Sequence, residues 1–477
     1  MKPQEIAKTM FRDYDVRGRV NDEELNPDSV RYIAMGFGTM MRRTKGLADF
    51  VVGYDSRECS EGFRDAVIAG LNAVGCSAVD IGLALSPVVY FAQHHLKREA
   101  GIMVTGSHNP PGWSGFKLCD GYSSTIRSDE IQQLYRMIVS EDFEAGSGTN
   151  GRTSVREAYI EDVCGRVKIG KPLKVVVDAG NGTAGMYAPE ILRRAGLDVV
   201  ELYCDLDVTF PNHFPNPSNL ADLADLQKKA VETGADAGVA LDGDGDRIGL
   251  VDEKGNIIYA DRVLIILARH VLARRPGSKI VFDVKCSQAL VEDIRAHGGV
   301  PIMWKTGHSN IKAKMREERA ALAGERSGHI FFAPDWGNPT QPYGPEYYYG
   351  FDDAVMAALR TLEHVAATGM SVSEIMGDTP PYITSPEIHV EYPDTKKHAM
   401  VATLVQEFKS EYPDVNDVDG ARVDFGDGWG LVRSSSNLPE LVLVFEAKTQ
   451  DRLDEIKSVF RRKLETHGVT APWQGDV

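Results

Sequence analysis

Apolar positions along this chain fall into a repeating order. Three stretches open with a short apolar run ending in aspartate: Val51-Val52-Gly53-Tyr54-Asp55, Val175-Val176-Val177-Asp178 and Ile280-Val281-Phe282-Asp283. A helical periodicity follows each run, with Phe63, Ala66, Val67, Leu71 and Val74 on one face of the first and Ala188, Ile191, Leu192 and Ala195 on one face of the second. The helical patterns stop at Gly75, Gly196 and Gly298, because glycine takes the left-handed C-terminal cap at least cost. Second apolar runs come next: Ser77-Ala78-Val79-Asp80, Asp198-Val199-Val200-Glu201 and Val300-Pro301-Ile302-Met303. Strand, helix, strand in this order predicts βαβ units with parallel strands and right-handed crossovers.

Each unit has a third run, and these lead into polar, glycine-bearing loops. Ala100-Gly101-Ile102-Met103-Val104 precedes Thr105-Gly106-Ser107-His108-Asn109-Pro110. Ala237-Gly238-Val239-Ala240-Leu241 precedes Asp242-Gly243-Asp244-Gly245-Asp246-Arg247, and Ala320-Ala321-Leu322-Ala323 precedes Gly324-Glu325-Arg326-Ser327-Gly328-His329. Ligands bind beyond the carboxyl ends of strands in open α/β sheets, so chemistry is expected here. Beyond about Pro380 the pattern changes. Glu387–Glu391, Ala421–Phe425 and Glu440–Phe445 read as closely spaced, antiparallel strands, followed by a helix carrying Leu453, Ile456, Val459, Phe460 and Leu464. The expected fold is α/β: three similar mixed domains in tandem (1–150, 151–256 and 257–370), then a smaller α+β domain (371–477). Gly146–Arg152 and Gly369–Pro381 are the expected linkers.

Composition narrows the partners. The 477 residues include 53 Lys+Arg and 69 Asp+Glu, for a net charge of −16. That balance argues against nucleic acid or an anionic membrane as the main partner. The longest apolar stretch, Val263–Ala273, is too short to span a bilayer and carries Arg269 and His270. The N-terminus has no apolar signal core, so a cytoplasmic protein is expected. Cys59, Cys76, Cys119, Cys164, Cys204 and Cys286 lack disulfide or zinc spacing and read as reduced thiols.

The loops carry candidate chemistry, each with a plainer alternative. Asp242, Asp244 and Asp246 alternate with glycine, so a tight turn can aim several hard oxygens at one Mg²⁺ or Ca²⁺; a solvated acidic turn is the alternative. An EF-hand is rejected because Arg247 stands where the turn needs glycine and both flanks read as strands. Ser107 lacks the G-x-S-x-G elbow of a serine hydrolase and fits a phosphate carrier or a turn serine. Glu325 and Ser327, two residues apart, suit neighbouring sugar hydroxyls or a simple capped loop. Arg433-Ser434-Ser435-Ser436-Asn437 fits a phosphate cradle or a surface turn.

Together these loops resemble the α-D-phosphohexomutase family, in its bacterial phosphomannomutase/phosphoglucomutase branch. The resemblance runs through nearly the whole chain and includes Phe11–Gly18, Phe282–Cys286 and Trp304–Ser309. It implies domains arranged around a central cleft, the last a lid, and a Mg²⁺-dependent isomerase that moves phosphate between C1 and C6 of hexose phosphates. By that resemblance Ser107 is the phosphoserine, with Asp242, Asp244, Asp246 and a phosphoserine oxygen as metal ligands. Arg247 lies beside the phosphoryl group. Arg17 and Lys117 serve as acid/base or charge support, with His329 a further acid/base candidate. Tyr14, Arg17, Lys285 and His308 line the cleft, Glu325 and Ser327 grip the sugar, and Arg433, Ser435, Ser436 and Asn437 take the distal phosphate. A hexose 1,6-bisphosphate is the implied intermediate and activator, and a monomer or homodimer is expected. Phosphoglucosamine mutase and a catalytically idle sugar-phosphate-binding regulator are the alternatives. Three departures from the branch stand out: Arg326 replaces a usual Met, Asn437 replaces a common Thr, and an aromatic stretch, Trp336–Tyr349, reads as an insertion covering the cleft, mediating self-association, or forming a surface loop.

Overall fold

A computed structural model describes residues 1–338, 344–436 and 438–473. It contains four sheets. In the first, Asp49–Tyr54 lies between Ser77–Leu83 and Ala100–Val104, parallel to both. Lys174–Asp178 stands likewise between Asp198–Leu202 and Ala237–Leu241, and Lys279–Asp283 between Val300–Trp304 and Leu322–Gly324. The helices stop as the glycine pattern predicts, with Gly75, Gly196 and Gly298 at φ of 78°, 94° and 75°.

A fourth strand, antiparallel to the third, completes each repeat: Trp113–Gly121, Ile248–Asp252 and Ile330–Phe332. The three polar loops are therefore the turns joining a parallel strand to an antiparallel one, which points all three the same way out of their sheets. The C-terminal sheet is antiparallel among its described strands, and the Arg433 loop joins Gly428–Ser434 to Glu440–Ala447. Four polar turns thus converge from four sheets.

The segments expected to be linkers are more structured than their composition suggested. Asn150–Arg152 forms a short strand parallel to Ser77–Leu83, and Val372–Gly377 is a short helix started by a Ser371/Glu374 capping box. One apolar core runs from Val51 through Ile258, Val263, Leu290 and Ala354 to Ile375, joining the first three sheets. The C-terminal domain has its own core around Leu404, Phe408, Leu443, Phe445 and Phe460. A small seam of Val284, Trp429, Leu431 and Val444 joins it to the rest. No helix among the described residues is long and apolar enough to cross a membrane.

Candidate active site

The Ser107 loop is held from below. Asp55, the aspartate ending the first repeat's first strand, accepts from Thr105 Oγ1 (2.8 Å) and Gly106 N (2.9 Å). Arg57 donates to the carbonyls of Ser107 (2.8 Å), Pro110 (2.9 Å) and Trp113 (3.1 Å). Under these restraints Ser107 adopts φ +50°, a conformation costly for a non-glycine residue. Its Oγ, buried with the residue at 2% exposure, donates to Asp242 Oδ2 at 2.9 Å. His108 Nδ1 lies 3.2 Å from the same oxygen.

Asp242, Asp244 and Asp246 are fully buried and present carboxylate oxygens within 4.8 Å of one another. Burial and the neighbouring Asp244 and Asp246 push the Asp242 carboxyl well above the ordinary range. Burial opposes ionisation of Asp244 too, but the Lys117 ammonium outweighs it and holds that pKa down. Lys117 Nζ donates to Asp244 (2.7 Å), to Asp246 and to Ser86 Oγ (2.8 Å). Burial pulls its pKa down and the Asp244 and Asp246 charges more than reverse this, so Lys117 is a fixed cation. Asp244 Oδ1 and Asp246 Oδ1 are buried without a hydrogen-bond partner. Hard oxygens left unsatisfied at one point fit a small divalent cation such as Mg²⁺.

The sugar-loop residues gather beside this cluster. Backbone pairing of Arg247 with His329 and an Ile248 N–Gly328 O bond of 3.1 Å join the second and third loops. Arg247 Nε donates to His329 Nε2 at 3.0 Å. Glu325 Oε1 accepts from Gly307 N at 2.6 Å, while its buried Oε2 has no partner. Burial raises the Glu325 pKa. Arg17 pairs with Asp15 at 2.8 Å and donates to Asn109 Oδ1 at 2.6 Å. Lys285 donates to Glu387 Oε1 at 2.7 Å; burial opposes the Glu387 charge, yet Lys285 and then Arg326 hold its pKa at about 2. Burial drives the His108 and His308 pKa values well below the ordinary histidine range, with Arg247 and Lys312 respectively adding to it.

A cavity of about 650 Å³ connects these groups to the C-terminal loop. Tyr14, Arg247, Lys285, His308, Glu325, Ser327, His329, Arg433, Ser435 and Ser436 all line it. Ser107, Arg17, Lys117 and the three aspartates stand behind its His108 and Arg247 wall, and Asn437 lies outside the described residues. Positioning residues escaped the sequence reading because their partners are distant in the chain. Asp419 accepts from both Arg433 Nε and Thr306 N at 3.0 Å. Lys397 donates to the carbonyls of Ser435 (2.6 Å) and Leu438 (2.9 Å) and so shapes the last loop. Asp55 was visible as a repeated strand-ending aspartate, but only the fold reveals what it holds. The described residues of the aromatic stretch do not line the cavity. In its described part Tyr348 is fully buried and Tyr349 packs on His94, with ring centres 4.7 Å apart; residues 339–343 lie outside the described residues.

A buried serine on an aspartate cluster, set behind the wall of a cationic cleft between four domains, defines a phosphotransfer enzyme of the phosphohexomutase class. Four family models match in order, described as phosphoglucomutase/phosphomannomutase alpha/beta/alpha domains I (residues 8–145), II (157–255) and III (259–382) and C-terminal domain (387–463). A Pseudomonas aeruginosa phosphomannomutase/phosphoglucomutase is 39% identical over 467 residues, covering 98% of each chain. A Neisseria gonorrhoeae phosphoglucomutase is 36% identical over 466 residues, covering 97% of this chain and 98% of its own. A solved structure of a phosphoglucomutase/phosphomannomutase family protein from Burkholderia thailandensis matches with TM-score 0.87 at 39% identity, covering 98% of this chain and 99% of its own. The chain belongs to the phosphoglucomutase/phosphomannomutase family, whose members are isomerases acting by intramolecular phosphotransfer.

Proposed function

We propose that this chain interconverts the 1- and 6-phosphates of glucose and mannose through a phosphorylated Ser107. The observation that carries the reading is Ser107 Oγ, buried and 2.9 Å from Asp242 in the aspartate cluster. Asp242, Asp244 and Asp246 with a phosphoserine oxygen would hold Mg²⁺, which when bound supplies charge stabilisation to the transferring phosphoryl group. The substrate hydroxyl oxygen forms a bond to phosphorus as the Ser107 Oγ–phosphorus bond breaks, and the hydroxyl proton passes to His329. Lys117, held as a cation, offsets charge and does not take that proton. The resulting hexose 1,6-bisphosphate turns end for end and returns its other phosphoryl group to Ser107. Arg433, Ser435 and Ser436 hold the distal phosphate in both orientations, joined by Asn437, while Glu325 and Ser327 hold the sugar ring. Two phosphates in one cleft repel, and Arg17, Arg247, Lys285 and Arg433 supply the opposing charge locally. We assign the domains to 1–150, 151–256, 257–370 and 371–477, the last a lid.

Intact-mass measurement before and after adding glucose 1,6-bisphosphate tests the mechanism. A gain of about 80 Da, one phosphoryl group, absent from Ser107→Ala, is expected; turnover by a protein that never gains it refutes the reading. Comparable turnover of glucose and mannose 1-phosphates, with little of glucosamine 1-phosphate, is the expected substrate pattern.

A further inference from the structure

Asp352 and Lys312 form a buried pair behind His329 that the mechanism above leaves unused. Asp352 is 0% exposed, Lys312 1% and His329 4%. Asp352 Oδ2 lies 2.9 Å from His329 Nδ1, and its Oδ1 lies 3.7 Å from Lys312 Nζ. Lys312 Nζ also sits 4.4 Å over the Tyr90 ring.

The backbone fixes this carboxylate in place. Asp352 pairs with Phe331, antiparallel to the strand leaving the sugar loop. Its neighbour Asp353 caps helix Ala354–Thr368 through Met356 N (3.0 Å) and accepts the Tyr348 and Tyr159 hydroxyls at 2.7 and 2.9 Å. Ala354 N donates to Gly245 O in the aspartate loop at 3.1 Å. The aromatic stretch is therefore a strap that carries Asp352 to the back of His329.

The hydrogen-bond chemistry then determines the tautomer. Arg247 Nε can only donate, so His329 Nε2, 3.0 Å away, must accept. A neutral ring accepting at Nε2 carries its proton on Nδ1, which faces Asp352. The contact is short without being well aligned, which is common before substrate tightens a site. The Asp246, His329 and Asp352 donor atoms also lie within 4.8 Å of one another. Asp246 already belongs to the aspartate cluster, Lys312 Nζ stands 3.7 Å from Asp352, and a protonated Nδ1 is no ligand. A second cation is therefore not needed.

We propose that Asp352, paired with Lys312, is the positioning residue that fixes His329 as its Nδ1–H tautomer, leaving on Nε2 the lone pair that Arg247 Nε holds and that takes the substrate proton once the guanidinium turns to a phosphate. The kinetic arm of the test rests on the function proposed above; the spectroscopic arm does not. Asp352→Asn is expected to lower kcat about 10-fold or more, with about 10⁴-fold the upper scale for losing the carboxylate behind an acid/base histidine, and to leave KM nearly unchanged. Removing one charge of a buried pair also threatens folding, so Asp352→Asn/Lys312→Met is made alongside; it should regain thermal stability and stay slow. Asp353→Asn, the control on the same strap, should lose stability and keep kcat. A stable double variant with wild-type kcat overturns the proposal. So does a wild-type His329 whose ¹⁵N shifts, assigned against His329→Gln, place the proton on Nε2. Titration of the full protein with Mg²⁺ alone should find one tight ion per chain; a second ion lost in Asp352→Asn also overturns it. Wild-type protein without hexose-phosphate turnover refutes the function, while the ¹⁵N result still decides the role of Asp352.

Discussion

The two ends of the cleft are built differently. At the Ser107 end, domains meet through backbone: Ser86 N donates to Asp244 O at 2.9 Å, Ile248 N to Gly328 O at 3.1 Å and Ala354 N to Gly245 O at 3.1 Å. One continuous apolar core lies beneath. At the Arg433 end, a separately cored domain is held to the third mainly by side chains reaching carbonyls. Arg326 donates to Ser385 O (2.7 Å) and Arg422 to Cys286 O (2.8 Å), while Lys285 pairs with Glu387 (2.7 Å). The contrast assigns rigidity to the end where a bond is transferred and adjustability to the end that must accept a phosphate from either side of a turned sugar. Transfer depends on preorganised charge; recognition of two orientations does not.

Substitutions at the two ends should therefore fail in different ways. Ser107→Ala is expected to cut turnover by roughly 10⁴-fold or more, as removal of a nucleophile does, while sugar-phosphate affinity measured by calorimetry survives. A smaller loss would erase the distinction between the ends. Arg433→Ala should raise KM by about 30-fold or more, the scale of a buried charged partner, with a much smaller change in single-turnover phosphoryl transfer from Ser107. An equal fall in that single-turnover rate would mean that the far end takes part in the chemistry.

Subtler changes sharpen the same comparison. Arg326→Met removes the guanidinium that reaches Ser385 O and strengthens Glu387, leaving the Ser107 end intact. A change of about 3–10-fold in KM, at unchanged phosphorylation of Ser107, is the expected result in steady-state assays, the scale of one charged hydrogen bond. The smallest effect concerns His213, whose Nε2 lies 3.0 Å from Asp178. Burial lowers its pKa, but Asp178 more than reverses this, raising it from 6.5 to about 9. The pair's stabilisation is complete below pH 6.5 and lost as pH rises through 9. Denaturant titrations should show a loss on the order of 1–2 kcal/mol over that window after solvent screening, absent in His213→Gln.

How much of this was legible in the chain follows from sequence distance. Ser107, the three aspartates and Glu325 stand in short motifs at predicted strand ends, and the structure gathers them. Ile248–Asp252 was legible as a strand flanking the aspartate loop, whereas Ile330–Phe332, three residues long, carries no periodicity of its own, so the antiparallel strand shared by all three repeats was not. Asp352, Asp419 and Lys397 act on partners 23, 113 and 38 residues away or between sheets, so nothing in their local pattern marks them. The aromatic stretch misled for a related reason. The partners that bury Tyr348 and Phe351, among them Arg166 for the first and Tyr90 and His94 for the second, lie far away in the chain.

The independent core of the last domain has a consequence for engineering. Because, among the described residues, its apolar interior meets the remainder at the seam around Val284 and Trp429, the unit from about residue 371 onward is a natural module for transplantation from a relative. A chimera preserving that seam, together with Arg422, Asp419 and Glu387, would inherit the donor's preference for the remote phosphate while keeping the recipient's catalytic apparatus.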